Sequence, residues 1–157
     1  NSRAYETYSA SPVFADGLTS QGPVGGTVKR GEEYPVHIEM DNMGDTANYY
    51  ASRALPNPFD SLGADQMKET ERLYLINCGI CHGAKLDGNG PLWKDGDGPF
   101  PAKPAALVGD AKYESMPAGQ MFYSITYGKN LMGGYASQIT AKQRWEIITY
   151  IKSKQGK

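Results

Sequence analysis

The sequence predicts a small all-α domain preceded by a long extended N-terminal arm, with the boundary between them near residue 58. Residues 1–58 show neither helical nor strand periodicity and are interrupted throughout by glycine and proline. From about Asp65 onwards, three stretches instead repeat apolar residues at helical spacing. A motif of two cysteines and a histidine stands in the first of these stretches, at 78–82. We therefore expect residues 59–157 to form one helical domain around that motif.

The composition of the arm favours contact with other proteins. An irregular stretch of this length is usually either disordered or wrapped around a partner. Disordered tails tend to lack aromatic residues, whereas this arm contains six: Tyr5, Tyr8, Phe14, Tyr34, Tyr49 and Tyr50. Residues 1–60 carry four Lys/Arg against eight Asp/Glu, while the overall net charge of −1 argues against nucleic acid as a partner. We expect the arm to wrap partner subunits, with a plain flexible tether as the alternative.

The first predicted helix begins near Asp65, a suitable N-cap residue. Leu73, Ile76 and Ile80 form one apolar stripe along it, and Tyr74 and Cys78 lie on an adjacent one. This helix delivers the motif.

The stretch 78–82 reads Cys-Gly-Ile-Cys-His, and C-x-x-C-H is the attachment signature of a c-type haem. Cys78 and Cys81 can each form a thioether to one porphyrin, and His82 then binds the iron. A structural zinc site requires four ligands, and the chain offers only these three and the distant His37. A thioredoxin-like redox pair or a simple disulfide leaves His82 unexplained. We interpret the motif as the site of one covalent haem c.

The glycine-rich loop after His82 supplies further predicted haem contacts. A metal-bound histidine donates its other ring N–H to a nearby acceptor. The carbonyl of Pro91 is well placed to accept it, with an ordinary turn proline as the alternative. Trp93 in this loop and Tyr135 further along the chain are also predicted to contact the haem.

Two more helices follow. One begins at Pro117, a favoured first-turn residue, and ends before Gly128. The last opens with Thr140-x-x-Gln143, a capping-box pattern. We expect Trp145 and Tyr150 of the last helix to pack against the first helix near Tyr74.

The residue that binds the second face of the iron determines the type of function. A methionine or histidine there produces an electron carrier, whereas an open position permits ligand chemistry. Met67 lies on the haem helix and cannot reach round the ring, and Met121 suits core packing. Met132 lies in a loop where Gly133 and Gly134 let the backbone approach the porphyrin. We predict Met132 as the second iron ligand, with Met116 as the second choice among the candidates Met40, Met43, Met67, Met116, Met121, Met132 and His37.

These features together resemble a class I cytochrome c over residues 57–157. The resemblance rests on the haem helix, the Gly-Pro-Leu loop at 90–92, the methionine loop and a terminal helix with Arg-Trp at 144–145 and Tyr-Ile at 150–151. Four further stretches resemble the monohaem cytochrome subunit of bacterial alternative complex III: FADG at 14–17, PVGGTVKRG at 23–31, NP at 57–58 and ITYGKNLM at 125–132. Two positions depart from that pattern, since Gln-Gly at 21–22 replaces an Arg-Pro pair and Gly133 replaces a proline.

The resemblance implies that Cys78 and Cys81 hold the haem, with His82 and Met132 as axial ligands. It implies a subunit, not itself an enzyme, of a membrane quinol-oxidising complex. The complex passes electrons towards a cytochrome c or a haem–copper oxidase, on the periplasmic side of the bacterial cytoplasmic membrane. The resemblance also implies a lipid anchor at the N-terminus. The sequence itself has no apolar run long enough to span a bilayer. A free-standing periplasmic carrier, or a haem enzyme or gas sensor with an open sixth site, are the alternatives.

Five lysines fall in the predicted loops, where the edge of a haem would emerge. We expect them to form a basic rim that meets an acidic patch on a redox partner, with ordinary solvated lysines as the alternative. They are Lys85, Lys94, Lys103, Lys112 and Lys129.

Overall fold

The computed structural model describes residues 9–27 and 38–156, and the chain divides into two compact units, 1–31 and 32–157. In the first unit, Ala10 and Leu18 form an isolated antiparallel bridge. The Ser11 N–H donates to the Gly17 carbonyl at 2.9 Å. Of the residues singled out in the sequence, Tyr5, Tyr8, Tyr34 and His37 lie outside the described residues.

The second unit is mostly helical, which confirms the predicted all-α class. Its described helices are α1 (Ala47–Ala51), α2 (Ala64–Asn77), α3 (Gly79–His82), α4 (Ala111–Glu114), α5 (Ala118–Tyr127) and α6 (Ala141–Lys154). Two 3-10 turns lie at Ser52–Ala54 and Lys94–Gly96, and the strands β1 (Gly128–Lys129) and β2 (Met132–Gly133) pair as an antiparallel hairpin. None of the helices in 9–27 and 38–156 is long and apolar enough to cross a membrane.

Local sequence signals set the ends of the three longer helices much as predicted. Helix α2 begins at Ala64 with Gly63 as its N-cap, so the predicted N-cap Asp65 is wrong by two residues and lies in the first turn instead. Helix α5 begins directly after Pro117 and ends before Gly128. In α6 the Thr140 hydroxyl accepts the Gln143 N–H at 3.2 Å, and the Gln143 side chain accepts the Thr140 N–H at 2.9 Å. The predicted capping box is confirmed.

The core lies where α6 packs against α2 and α5. The Tyr74 and Tyr150 rings are 5.3 Å apart, so the predicted contact between the first and last helices is confirmed. Trp145 instead stacks on Phe122 of α5, with ring centroids 4.1 Å apart. Trp145 therefore lies on the side of α6 towards α5, and its packing against the first helix stays a prediction.

The buried face of α2 is the one that carries Thr70 and Tyr74. Leu73 of the predicted apolar stripe is half-buried, whereas Ile76 and Ile80 are 60% and 44% exposed. These two residues line an apolar groove together with Leu75, Gly79, Ala84 and Pro91.

Residues 38–58 belong to the second unit and are not wholly irregular, since they contain α1 and the first 3-10 turn. Asp45 supports the start of α1, because its carboxylate accepts the N–H groups of Thr46 and Ala47 at 2.6 and 3.0 Å. A helix of five residues is too short to produce a recognisable periodicity. The wrapping of partner subunits by the arm stays a prediction.

Candidate haem-binding site

The two cysteines lie in a continuous turn at the C-terminal end of α2. Cys78 joins α2 to α3, and its carbonyl accepts the N–H groups of Cys81 and His82 at 3.1 and 2.8 Å. Neither sulfur is in a disulfide. Burial, together with the neighbouring Cys81, raises the pKa of the unattached Cys78 thiol to about 12. The short turn therefore presents two protonated thiols and one imidazole from adjacent positions, as attachment to a single porphyrin requires.

His82 is oriented by a backbone carbonyl. Its Nδ1 lies 2.9 Å from the Ala105 oxygen, and since a carbonyl can only accept, Nδ1 carries the proton. The Nε2 lone pair is then available to a metal. Burial lowers the pKa of His82, although the bond to Ala105 opposes that change, so the ring is neutral at pH 7 as an iron ligand must be.

The acceptor on His82 is thus Ala105 and not the predicted Pro91, which is exposed. The reason is a close approach between two loops. Gly88 has a φ of +75°, and a Cβ there would lie 2.3 Å from the Pro104 carbonyl oxygen. The absence of a side chain at this position lets the Pro104–Ala105 backbone pass next to the haem motif. A proline-rich loop containing Pro99, Pro101 and Pro104 was the available sequence signal for this second loop.

Met132 is placed by the β1–β2 hairpin. It pairs with Lys129 across the hairpin, and the connecting turn is Asn130–Leu131, with Asn130 at a φ of +54°. Gly128 is required here, because a Cβ would lie 2.5 Å from the Met132 carbonyl oxygen. Met132 is half-buried and packs against the hydrophobic core.

The other methionines differ in burial. Met121 is 5% exposed and belongs to the core, as predicted, while Met40 and Met43 are exposed. Met116 is half-buried at the edge of the core like Met132, and its carbonyl accepts the Lys152 ammonium at 2.7 Å. Among the candidate ligands that the structure describes, Met116 and Met132 are the two that lie at the edge of the core and outside the haem helix.

Tyr135 connects the methionine loop with the cysteine motif. Burial and the neighbouring Cys78 and Cys81 thiols raise the pKa of Tyr135, so its phenol lies within electrostatic reach of both sulfurs. Its backbone N–H donates to the Ile125 carbonyl at 2.8 Å, which fixes the loop against α5. Trp93 is half-buried, with its backbone N–H bonded to the Gly90 carbonyl at 2.9 Å. Haem contact by Pro91, Trp93 and Tyr135 stays a prediction.

This donor set fits a covalently attached haem. The two thiols suit thioether bonds, the imidazole presents Nε2, and the half-buried Cys78 packs against the hydrophobic core. When bound, haem c supplies reversible one-electron chemistry between ferric and ferrous iron. Cys78 and Cys81 would hold the porphyrin, and the Ala105 carbonyl orients His82 for the iron.

Comparison with known proteins places the chain in a family. The family described as Cytochrome C oxidase, cbb3-type, subunit III matches residues 65–151, which is more than half of the chain. No curated protein matches the sequence.

Three solved structures are similar at low identity. A reducing HAO-like protein complex of Kuenenia stuttgartiensis is 20% identical over 64% of this chain and 49% of its own, with a TM-score of 0.49. Cytochrome cL from Hyphomicrobium denitrificans is 22% identical over 55% and 46%, with a TM-score of 0.41. Cytochrome cL from Methylophaga aminisulfidivorans is 21% identical over 73% and 72%, with a TM-score of 0.46.

This chain spans about half the length of the first two of these structures. The match to the family model covers the haem motif, the methionine hairpin and most of α6. The chain therefore belongs to this cytochrome c family, and it is an electron-transfer protein that carries one covalently bound haem c.

Proposed function

We propose that this chain is the monohaem cytochrome subunit of a membrane-bound quinol-oxidising complex of the alternative complex III type. It transfers single electrons from that complex towards a cytochrome c or a haem–copper oxidase. The observation that carries the proposal is that the resemblance to this subunit extends beyond the haem domain, into FADG at 14–17, PVGGTVKRG at 23–31 and NP at 57–58. All three stretches lie outside the region that the cytochrome c family model matches.

Several residues of the resembling stretches form hydrogen bonds or turns that stabilise the chain locally, which supports the proposal. Asn57 donates its side-chain amide to the Thr149 hydroxyl of α6 at 2.9 Å. Gly17 has a φ of +70° and closes a turn on the Phe14 carbonyl at 2.9 Å. Residues 125–132 form the end of α5 and most of the hairpin. A shared sequence at such positions favours a shared local structure.

Within this function, Met132 is the second axial ligand of the haem. The hairpin position, the half-burial and the adjacent Tyr135 support this assignment. Because thioether ligation favours ferrous iron, Met132→Ala should leave the haem attached but lower its reduction potential, with loss of the methionine-to-iron charge-transfer band. A redox titration with optical spectra checks this. Met116→Ala is the matched control, and the assignment fails if that variant shows these changes and Met132→Ala does not.

The proposed location is the periplasmic face of the bacterial cytoplasmic membrane, reached through the complex and an N-terminal lipid. Protease treatment of intact spheroplasts should then digest the protein in place. Full protection until the membrane is lysed would contradict this location.

Affinity purification of the native complex tests the function itself. The tagged chain, solubilised in mild detergent, should co-purify with iron–sulfur and multihaem subunits and with quinol oxidation activity. Recovery of the haem-loaded chain alone, from cells in which quinol-oxidising activity sediments separately, would favour a free-standing carrier instead.

A further inference from the structure

Residues 38–54, here called the clamp segment, pack against the helix that leads into the methionine hairpin. Asp41 is the main junction. Its carboxylate accepts the backbone N–H groups of Asn48 and Tyr49 at 2.7 and 2.8 Å, and it accepts the Tyr123 hydroxyl of α5 at 2.9 Å. The Asp41 N–H in turn donates to the same Tyr123 oxygen at 2.7 Å. One carboxylate therefore folds the clamp segment and fixes it to α5.

Burial opposes the charge on Asp41, but these hydrogen bonds and the nearby Lys129 hold the pKa of its carboxyl below the usual value. Asp41 is thus ionised at neutral pH. Hydrogen bonds to an ionised acceptor are stronger than those between neutral groups.

Further contacts reach the hairpin itself. The Lys129 ammonium of β1 lies over the Tyr49 ring, 4.1 Å from its centroid. The Tyr49 ring packs edge-on against Tyr123 at 5.6 Å, and the Tyr127 hydroxyl donates to the Ile38 carbonyl at 2.6 Å. The clamp segment therefore contacts the end of α5 and the first strand of the hairpin.

The register of the hairpin connects these contacts to the predicted ligand. Lys129 is the direct cross-strand partner of Met132, so the side chain that rests on Tyr49 belongs to the residue opposite the methionine. Each strand has only two residues, and an isolated two-stranded hairpin is marginally stable at best. Contacts with other parts of the chain are therefore needed, besides the hydrogen bonds between β1 and β2, to hold the Met132 side chain in one position.

We propose that the clamp segment holds the methionine hairpin in its ligating position, with Asp41 and Tyr49 as positioning residues for Met132. The inference rests on the proposed ligation by Met132. It assigns to residues upstream of the matched cytochrome c region a role in keeping the sixth position of the iron closed. Loss of the clamp increases the time that Met132 spends away from the iron, without removing the haem.

Imidazole binding to the ferric, haem-loaded full-length protein measures this opening, because imidazole binds the iron only when the methionine has left. The test variants are Asp41→Asn and Tyr49→Leu. Tyr49→Phe keeps the ring below Lys129 and serves as the conservative rescue. The matched controls lie outside the clamp segment: Tyr113→Leu, a tyrosine whose ring also lies below a lysine, and Asp110→Asn, which weakens the N-cap of α4.

We expect Asp41→Asn and Tyr49→Leu to bind imidazole about tenfold more tightly, the effect of losing one charge-assisted contact. Tyr49→Phe and both controls should stay within about twofold of the original protein. The clamp is disproved if Asp41→Asn and Tyr49→Leu bind imidazole no more tightly than the controls while Met132→Ala does. It is also disproved if the control variants bind imidazole more tightly in proportion to their loss of free energy of unfolding in urea, because the effect would then come from general destabilisation.

Met132→Ala separates the hypothesis that Met132 binds the iron from the hypothesis that the clamp segment positions it. If this variant leaves the imidazole affinity unchanged, the ligand assignment and the clamp both fail. If Asp41→Asn yields no haem-loaded protein, the contrast between Tyr49→Leu and Tyr49→Phe decides the matter, since both keep the Asp41 bonds.

Discussion

Gly88 and Ala105 together determine how the proximal histidine is held. The Ala105 carbonyl orients His82, and the carbonyl can reach the ring only because Gly88 has no side chain to obstruct the Pro104 backbone. Acceptors of this kind fix the tautomer of a metal-bound histidine and raise its basicity. We therefore expect the reduction potential of the haem to depend on Gly88, whose backbone N–H also donates to the His82 carbonyl at 2.9 Å.

Gly88→Ala should weaken this arrangement in a measurable way. The positive φ and the clash with Pro104 both oppose an alanine, and the expected loss of stability is on the order of 3 kcal/mol. A His82 ring that loses its acceptor is less basic and stabilises ferric iron less, so the reduction potential should rise. Guanidinium unfolding and a redox titration check the two effects.

Gly109→Ala is the matched control for this substitution. Gly109 has a φ of +89°, but a Cβ there would meet no atom within 4 Å. The control should lose only about 1 kcal/mol and keep its potential. Equal potentials in the two variants would show that the Gly88 approach does not orient His82.

At the scale of elements, the features that the sequence predicts are those set by interactions between residues close together in the chain, such as helix ends. The capping box of α6 and the Pro117 and Gly128 ends of α5 lie within a few residues of the groups they satisfy, and all were readable in advance. Ala105 was missed because it lies 23 residues from His82 and acts through its backbone, which no side-chain pattern reveals. Helix α1 was missed because five residues give no period, and its carboxylate support comes from outside the helix.

The tertiary partner of a helix face is equally hidden from the sequence. The sequence shows which residues form the apolar face of α6. Which of them pack against α2 and which against α5 depends on how the three helices are arranged in the fold. The contact of Tyr150 with Tyr74 was therefore predicted, whereas the stacking of Trp145 on Phe122 was not. Exposure of Ile76 and Ile80 has the same origin, since periodicity shows a stripe but not which stripe is covered.

Thr149→Val tests how α6 holds the segment before the haem domain. The Thr149 hydroxyl donates to the Phe59 carbonyl at 2.9 Å and accepts the Asn57 amide. Valine has the same shape but leaves both partners without this bond, so the free energy of unfolding should fall by about 2 kcal/mol. Ser153→Ala in the same helix removes only an exposed hydroxyl bonded to the Tyr150 carbonyl and should cost less than about 0.5 kcal/mol. Similar guanidinium midpoints for the two variants would contradict this account.

At the scale of the molecule, charge is distributed unevenly along the chain. Residues 1–60 have four Lys/Arg and eight Asp/Glu, whereas residues 61–157 have twelve and nine. The haem domain is thus mildly basic. Of the five lysines predicted to lie in loops, Lys112 belongs to α4 and lies 5.2 Å from the Tyr113 ring centroid, and Lys129 belongs to β1 and rests on Tyr49. Lys85, Lys94, Lys103 and Lys112 are exposed, whereas Lys129 is half-buried.

Replacement of Lys85 and Lys94 by glutamate should slow electron transfer to an acidic redox partner. Redox interfaces are small and short-lived, so charges at their edge act mainly on the rate of encounter. The loss of rate should be greatest at low salt and should shrink as the Debye length falls to about 8 Å near physiological ionic strength. Stopped-flow oxidation of the reduced protein over a salt series, with the native terminal oxidase or its soluble carrier, measures this dependence.

Replacement of Lys68 and Lys154 by glutamate changes the net charge of the chain by the same amount, but these lysines lie on α2 and α6 and not in the loops. If the effect comes from the total charge of the molecule, both double variants slow electron transfer alike. If it comes from a docking rim, only the Lys85 and Lys94 variant does so, and its rate approaches that of the original protein at high salt. A rate that is independent of salt in both variants would mean that the partner binds elsewhere on the haem domain or through the arm.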